Sequence, residues 1–188
     1  IKNNISKDIA AFIFKKIMPF AEYGFNKSHA AAYALIAYQT AFLKTYYKED
    51  FIAATMSTEL TNTSKLREFV EELKRLNIEI VRPSINNCFA EFKAEKDKIY
   101  YGLGAIKNVG YEAISNIVRE RIKNGKFKSI IDFINRVDSK DVNKLQLEGL
   151  TKAGAFDEFD KDRNKIVTSI PKIIQQIKSI NEDKFNNQ

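Results

Sequence analysis

Tyr101-Gly102-Leu103-Gly104-Ala105-Ile106-Lys107-Asn108-Val109-Gly110 is a glycine-rich stretch just past the middle of this 188-residue chain. An apolar helical pattern follows it, carried by Ile114, Ile117 and Val118. Together they predict a short helix, a tight turn with one residue at positive φ, and a second helix. The spacing of the glycines does not match a dinucleotide-binding fingerprint, and no βαβ unit surrounds them.

A small β-hairpin is predicted immediately upstream. Residues 89–94 and 98–103 have the character of two strands, with Ile99, Tyr101 and Leu103 alternating with smaller or more polar positions. Glu95-Lys96-Asp97 is the polar turn between them. Because a two-stranded hairpin is marginally stable alone, we expect it to pack against the preceding helices.

Helices dominate the rest of the chain. Pro19 and Gly24 are expected to end the first helix, and Ser28 is a good N-cap for the second. The second helix is rich in aromatic residues, which at this spacing are expected in a core rather than stacked on bases. Upstream of the hairpin, the predicted helices begin at Ser6 and cover 28–47, 51–60 and 64–76, with a polar N-capping loop at 61–64 and a short strand at 78–81.

Three further helical segments are predicted downstream. Residues 129–137 and 143–150 form two of them, and the third runs from Asn164 with an interruption at Pro171. After Ser179 the chain is polar, and we expect this end to be disordered. The fold class is therefore mainly α, with a small β-hairpin in the middle.

Composition excludes several classes of protein. No stretch approaches the roughly 20 apolar residues of a membrane span, and no secretory signal opens the chain. A single cysteine, Cys88, excludes an internal disulfide framework and fits the reducing cytoplasm. With only one histidine beside it, a structural zinc site is not expected.

The charge balance indicates a polyanionic partner. The formal net charge is +7, although the abundance of lysine alongside asparagine and isoleucine is also typical of a coding bias. The basic residues between Gly104 and Lys128 outnumber Glu112 and Glu120. Such a cluster neutralises phosphates without reading sequence. Its members are Lys107, Arg119, Arg121, Lys123, Lys126 and Lys128.

A second candidate site lies at the start of the second helix. Lys27, Ser28 and His29 place a cation, a hydroxyl and an imidazole beside the free N–H groups and partial positive charge of a helix N-terminus. This is the local chemistry of a phosphate or carboxylate site. The alternative is an ordinary helix cap with its neighbours.

Several segments resemble bacterial DNA polymerase III alpha subunits, the C-family replicative polymerases. In that family the first segment lies in the fingers domain and the later ones in a helix-hairpin-helix module. The resemblance covers roughly residues 5–157 and implies a fingers part at 1–64, a helix-hairpin-helix module at 65–160 and a helical tail at 161–188. The matching segments are FAEYGFNKSHAAAYALIAYQTAFLK (20–44), NIEIVRPSINNC (77–88), the central stretch 101–110, and KSIIDFINRVD with LEGLTKAGAFD (128–138 and 147–157).

A helix-hairpin-helix motif implies DNA binding that does not read sequence, because backbone N–H groups at the second helix hold a phosphate. This chain departs from the pattern where Asn108 replaces the first turn glycine. Asparagine tolerates the left-handed region, so the turn is retained, but its side chain can crowd a phosphate. The expected DNA-binding residues are Lys107, Asn108, Val109, Gly110, Arg119 and Lys123, and the expected nucleotide-binding residues are Lys27, Ser28 and His29.

The resemblance implies a DNA-directed DNA polymerase, a nucleotidyltransferase of chromosome replication, of which this chain is a fragment; Ile1 in place of methionine agrees with that expectation. The implied partners are primer–template DNA, the incoming dNTP, the sliding clamp and other replicase subunits, with no membrane. The family's catalytic aspartates lie upstream, in the palm domain, where Mg²⁺ is expected. We therefore expect no catalytic residue, metal or cofactor in this chain, and no activity from it alone.

Two other functions remain open on the sequence. One is a stand-alone, non-catalytic DNA-binding adaptor built on the same hairpin. The other is a protein-interaction scaffold whose positive charge is incidental. A DNA-binding measurement separates the polymerase fragment and the DNA-binding adaptor, which both bind DNA, from the protein-interaction scaffold.

Overall fold

The computed structural model describes residues 5–22 and 26–186, so Gly24, expected to end the first helix, lies outside the described residues. Within those ranges the chain forms eight α-helices and one three-stranded sheet. The prediction of a mainly α fold with a small β-hairpin is confirmed. The chain divides into two units, Ile1–Tyr46 and Tyr47–Gln188.

The first unit consists of two helices, α1 (Lys7–Glu22) and α2 (Lys27–Tyr46). Pro19 lies inside α1, so the expectation that it ends the helix is wrong. Proline has no backbone N–H, so its nitrogen cannot donate the helical hydrogen bond. Because Pro19 lies close to the end of α1, the remaining turn still forms.

The apolar side chains of the first unit are exposed. None of the residues of α2 is buried, and Tyr33 and Phe42 are 61% and 42% exposed, which contradicts their predicted place in a core. Phe14 of α1 is exposed as well. An apolar helix face is buried only where a facing element covers it, and two helices alone offer little cover. None of the helices in the described ranges is both long enough and apolar enough to cross a membrane.

The second unit contains all the other elements. They are α3 (Lys48–Thr58), α4 (Thr63–Arg75), β1 (Glu79–Val81), β2 (Lys93–Glu95), β3 (Lys98–Tyr100), a 3-10 turn (Leu103–Ala105), α5 (Tyr111–Asn124), α6 (Ile130–Arg136), a second 3-10 turn (Ser139–Asp141), α7 (Lys144–Ala153) and α8 (Arg163–Asn186).

Side-chain caps fix where four of these helices begin. Asn62, Ser129, Asn143 and Asp162 each accept a hydrogen bond from the backbone N–H three residues later, at 3.2, 3.1, 2.9 and 3.0 Å. Each cap satisfies one of the N–H groups that lack a partner in the first turn of a helix. The predicted N-capping loop before α4 is therefore confirmed, and Gly154, at φ 89°, ends α7.

The sheet has the strand order β1-β3-β2. β2 and β3 pair antiparallel as predicted, with Lys96 of the turn at φ 56°, but both strands are shorter than predicted. Phe89 and Gly102 form only an isolated bridge. β1 pairs with β3 in parallel, with Ile80 opposite Ile99, which the sequence pattern did not reveal. α3 packs on β2 and α4 on β1, so the hairpin does rest on the preceding helices.

A first hydrophobic core joins α3, α4 and the sheet. Its centre includes Met56 of α3, Leu73 of α4 and Ile99 of β3, none more than 1% exposed. The observed unit therefore begins at Tyr47, upstream of the predicted division between residues 64 and 65. The reason is that α3 has its apolar face buried against β2 and α4.

A second core lies among α5, α6, α7 and α8. α8 supplies four of its buried isoleucines and extends to Asn186, so the expected tail is part of the core, and the helix passes Ser179, where disorder was predicted. Pro171 lies inside the helix without ending it. The buried residues on both sides of that proline hold the helix in place; they are Ile166, Ile170, Ile173 and Ile177.

Candidate nucleic-acid interface

The central stretch forms the predicted tight turn. After the 3-10 turn at Leu103–Ala105, the N–H of Val109 donates to the carbonyl of Ile106 at 3.0 Å. Asn108 takes φ 67°, so the predicted positive-φ residue is found and asparagine occupies it. The short first helix of the pair is this single 3-10 turn. The turn delivers the chain directly into α5.

Helix α5 begins without a side-chain cap. Gly110 precedes it with φ −78° and ψ 133°, and no side chain accepts a hydrogen bond at this end. The backbone therefore does not require glycine here. A Cβ on Gly110 would meet nothing nearer than the Cβ of Ala113, at 3.9 Å. The space beside Gly110 is therefore open, and an external acceptor can approach this end of α5, where the first N–H groups have no intrahelical partner.

Gly149 of α7 holds the turn in place. A Cβ at this position would lie 2.7 Å from the carbonyl oxygen of Lys107 and 3.2 Å from Cγ2 of Val109. The backbone of the turn therefore rests directly on α7, and the side chain of Val109 is buried. Sequence reasoning did not select Gly149. The available signal was a glycine in the interior of a helical pattern, which often marks close packing.

Tyr111, the first residue of α5, ties the hairpin to the segment before β2. Its hydroxyl donates to Oε1 of Glu91 at 2.7 Å, and this hydrogen bond raises the pKa of the Tyr111 hydroxyl, which therefore remains a donor. The tyrosine ring packs against Gly104, whose N–H donates to the carbonyl of Ala90 at 2.9 Å. These contacts set the start of α5.

Arg121 is not available to DNA, although the charge pattern placed it in the basic cluster. Its side chain is buried, and Nη1 donates to the carbonyl oxygens of Ile85 and Cys88, both at 2.7 Å. The guanidinium also lies 5.0 Å from the ring centroid of Phe89. Burial lowers the pKa of Arg121. This cation therefore fastens α5 to the segment that follows β1.

The remaining predicted DNA-binding residues lie on two different surfaces. Lys107, Asn108, Val109 and Gly110 line one open groove of about 730 Å³. Arg119 and Lys123 line another, of about 320 Å³, whose walls include three carboxylates. Those carboxylates belong to Glu120, Asp138 and Asp141.

Two neighbours modify the charge around the hairpin. Glu112, in the first turn of α5, is exposed and opposes an approaching anion. Lys126 donates to Oδ1 of Asn87 at 2.7 Å, which draws that ammonium group toward the loop after β1. Lys107, in contrast, is exposed beside the turn itself. It is the cation best placed to accompany a phosphate at the start of α5.

The start of α2 keeps the three predicted nucleotide-binding residues together. Lys27, Ser28 and His29 are all exposed, and the His29 ring lies 4.4 Å from the Tyr33 ring. The N-cap is Asn26 rather than Ser28: Oδ1 of Asn26 accepts from the His29 N–H at 3.1 Å and from the Ser28 hydroxyl at 2.7 Å. Asn26 is the cap because it immediately precedes Lys27, the first residue of α2. From that position its side chain reaches the N–H of His29, the third residue of the helix.

Cys88 is buried after β1, and its thiol donates to the carbonyl of Arg82 at 3.3 Å. Burial raises the pKa of the Cys88 thiol, which keeps it protonated. Within residues 5–22 and 26–186, no three or more His, Cys, Asp and Glu side chains are grouped so as to hold a metal ion.

Comparison with known proteins agrees with this geometry. A family model described as a helix-hairpin-helix motif matches residues 77–166. The chain is 46% identical over 186 residues to DNA polymerase III subunit alpha of Borreliella burgdorferi, a match that covers 99% of this chain and 16% of the relative. For the same subunit of Caulobacter vibrioides the identity is 42% over 187 residues, covering 100% and 16%.

A third relative, DNA polymerase III subunit alpha of Chlamydia trachomatis, is 44% identical over 162 residues, which cover 86% of this chain and 13% of the relative. The chain thus spans about a sixth of the length of the first two relatives. The chain is thus similar to a part of DNA polymerase III alpha subunits, and its residues 77–166 match the helix-hairpin-helix model.

Proposed function

We propose that this chain is a part of a DNA polymerase III alpha subunit and that its hairpin holds duplex DNA through contacts that do not read sequence. The support for the polymerase is identity of 42% and 46% along nearly the whole chain. The template-directed synthesis of the whole subunit, a nucleotidyl transfer, is part of this proposal. So is a cytoplasmic location.

The observation that carries the DNA contact is the uncapped start of α5 behind a turn closed by Asn108. Helix N-termini bind phosphate through free N–H groups and the helix dipole. Gly110 places no side chain at this end of α5, and the space where a Cβ would stand is open. Lys107 adds an exposed positive charge beside them. The contacts are to backbone phosphate, so they position the duplex without specifying bases.

Arg119 and Lys123 have a secondary part in this proposal. Both lie further along α5, on the groove that also carries carboxylates, and Nη1 of Arg119 donates to Oδ1 of Asn116 at 2.7 Å. They add to the long-range attraction for a polyanion rather than form the main phosphate contact. Val109 contributes by packing, since its side chain is buried under the turn.

Lys27, Ser28 and His29 are proposed to contact the phosphates of the incoming dNTP. Their support is chemical: an exposed cation, a hydroxyl and an imidazole stand at the start of a 20-residue helix. A triphosphate is favoured at such an end by the dipole and by the first N–H groups.

The sliding clamp and other replicase subunits are proposed as partners of the whole subunit. Nucleotidyl transfer needs paired metal ions held by carboxylates. The described residues do not offer such a ligand set, so no step through Mg²⁺ is assigned to them. We expect Mg²⁺ to bind outside this chain and the chain alone to be inactive.

The experiment is fluorescence anisotropy of the full 188-residue chain with labelled primer–template DNA of two unrelated sequences, at two salt concentrations. Affinity is expected to be equal for both sequences and to fall roughly tenfold or more between about 50 and 200 mM salt, because several phosphates are neutralised. A Lys107→Ala/Gly110→Val double variant is expected to lose most of the binding.

Lys172→Ala, which removes the same charge from the exposed side of α8, is the matched control and is expected to bind nearly as the parent chain does. Circular dichroism of each variant establishes that the helices are retained. Absence of binding at low salt would favour a protein-interaction scaffold. A double variant that binds like the parent chain would remove the hairpin from the proposal.

A further inference from the structure

We propose that the DNA backbone extends from the hairpin into the groove beside it and is held on the far wall by Thr61, Thr63 and Asn143. This inference rests on the proposed DNA contact of the hairpin and deepens it. Thr61 belongs to the connection between α3 and α4, Thr63 is the first residue of α4, and Asn143 precedes α7. None of the three is part of the hairpin turn.

Packing fixes the two walls of the groove against each other. On one side, Cδ1 of Leu60 lies 3.7 Å from the position that a Cβ on Gly104 would take, so the α3–α4 connection leans on the 3-10 turn. On the other side, Gly149 brings the backbone of Lys107 onto α7. The groove is therefore a preformed feature of the second unit. It encloses about 730 Å³.

The lining of this groove suits a phosphodiester. Thr61, Thr63, Asn108 and Asn143 are all exposed and supply hydroxyl and amide groups, and Lys107 supplies a cation. Hydroxyl and amide donors commonly hold phosphate oxygens and position a duplex without reading its sequence. No carboxylate belongs to the described residues that line it.

Other open grooves of the same unit carry charges of both signs. The groove along α4 is lined by three glutamates and two arginines, and that between α3 and β2 by Asp50 and Glu91 together with Lys93. The groove beside α5 contains three carboxylates and four cationic side chains. A carboxylate in the wall repels a phosphate at close range, whereas the described lining of the hairpin groove has none and presents neutral donors and Lys107. The lack of carboxylates in its described lining points to the hairpin groove as the path of the backbone.

The contact reaches beyond the segment that the helix-hairpin-helix model matches. Thr61 and Thr63 precede residue 77, where that match begins. The α3–α4 connection would thus share a DNA strand with the hairpin turn. A strand held at both walls is restrained in direction as well as in position.

The test uses two neighbouring residues of α4 in the full chain. Thr63→Glu places a carboxylate in the hairpin groove, while Ser64→Glu places the same charge in the groove along α4. Both positions lie in the first turn of α4, where an acidic side chain stabilises a helix, so both variants are expected to fold. In the anisotropy measurement at about 50 mM salt, Thr63→Glu is expected to weaken binding roughly fivefold and Ser64→Glu much less.

Thr61→Lys gives a signal of the opposite sign. A cation added to the groove is expected to tighten binding about threefold, a gain that misfolding does not produce. If the Lys107→Ala/Gly110→Val variant loses binding while all three single variants match the parent chain, the groove contact is wrong and the hairpin contact stands. If the double variant binds like the parent chain, the hairpin contact fails and the groove contact with it.

Discussion

Three residues show how single side chains set the hairpin. Asn108 takes a positive φ that asparagine adopts at little cost, so the turn does not need the glycine usual in the motif. The guanidinium of Arg121 donates hydrogen bonds to two backbone carbonyls and is not available to a ligand. Gly149, which the sequence analysis did not select as a site residue, allows the turn to lie on α7. The residues that shape the site are thus partly different from those that face the ligand.

Gly149→Ala tests this shaping role. The added methyl group would stand 2.7 Å from the carbonyl oxygen of Lys107, so the turn must move away from α7. We expect a loss of about 1–3 kcal/mol in the free energy of unfolding, as for overpacking of a core, together with weaker DNA binding. Urea denaturation measures the first and anisotropy the second.

Lys152→Ala, on the exposed side of the same helix, is the control and is expected to change stability by less than about 1 kcal/mol, because its ion pair with Glu148 is exposed. Equal stability of Gly149→Ala and the parent chain would show that the turn does not depend on this close approach.

At the scale of elements, the helices differ in how their starts are closed. α4, α6, α7 and α8 are closed by side-chain caps from Asn62, Ser129, Asn143 and Asp162. α3 and α5 lack such a cap, and at α5 the space beside Gly110 is open as well. α2 is capped by Asn26 but still presents exposed Lys27, Ser28 and His29. The proposed phosphate contacts fall at α5 and α2.

Lys27→Ala tests the proposed role of the α2 start in an intact polymerase that contains this segment. Loss of the cation is expected to raise the apparent KM for dNTP or lower kcat by about tenfold, the effect of roughly 1.4 kcal/mol. Steady-state primer extension measures both constants. Lys44→Ala, near the other end of α2, is the control. Kinetic constants that do not change in Lys27→Ala would contradict the assignment.

At the scale of the whole molecule, the second unit is built on two cores that both depend on distant segments. The first requires α3, which lies before the predicted division of the chain. The second requires α8, although the family model match ends at residue 166, near the start of that helix. The first unit, in contrast, leaves the apolar faces of α1 and α2 exposed. The division into fingers part and helix-hairpin-helix module stays a prediction.

Removal of α8 tests its part in the second core. A chain ending at Asp162 loses the four buried isoleucines of α8, which are 0–9% exposed. They are Ile166, Ile170, Ile173 and Ile177. Burial of each contributes about 1.5–3 kcal/mol, so their sum is comparable with the roughly 5–15 kcal/mol stability of a whole domain. We expect the cooperative urea transition to disappear.

A chain ending at Glu182 keeps those isoleucines and is expected to unfold like the parent chain. Circular dichroism at increasing urea follows both. A chain that lacks α8 but unfolds at the parent midpoint would show that α8 is dispensable to the core.

The sequence by itself determined the mainly α fold, the β2–β3 hairpin, the N-capping loop before α4 and the left-handed position of Asn108. These depend on side chains and backbone within a few residues, where propensity and capping act. It also indicated the helix-hairpin-helix motif that the comparison then matched. Two local predictions were wrong: Pro19 does not end α1, and Asn26 rather than Ser28 caps α2. Each of these predictions considered one residue without its neighbours.

Only the tertiary structure decided the rest. The parallel pairing of β1 with β3, the burial of Arg121 against carbonyls 33 and 36 residues away, and the contact of Gly149 with the turn all join distant segments. The groove beside the hairpin is of this kind too, because its walls come from three parts of the chain. Such contacts depend on how whole elements pack, which periodicity along one element does not specify.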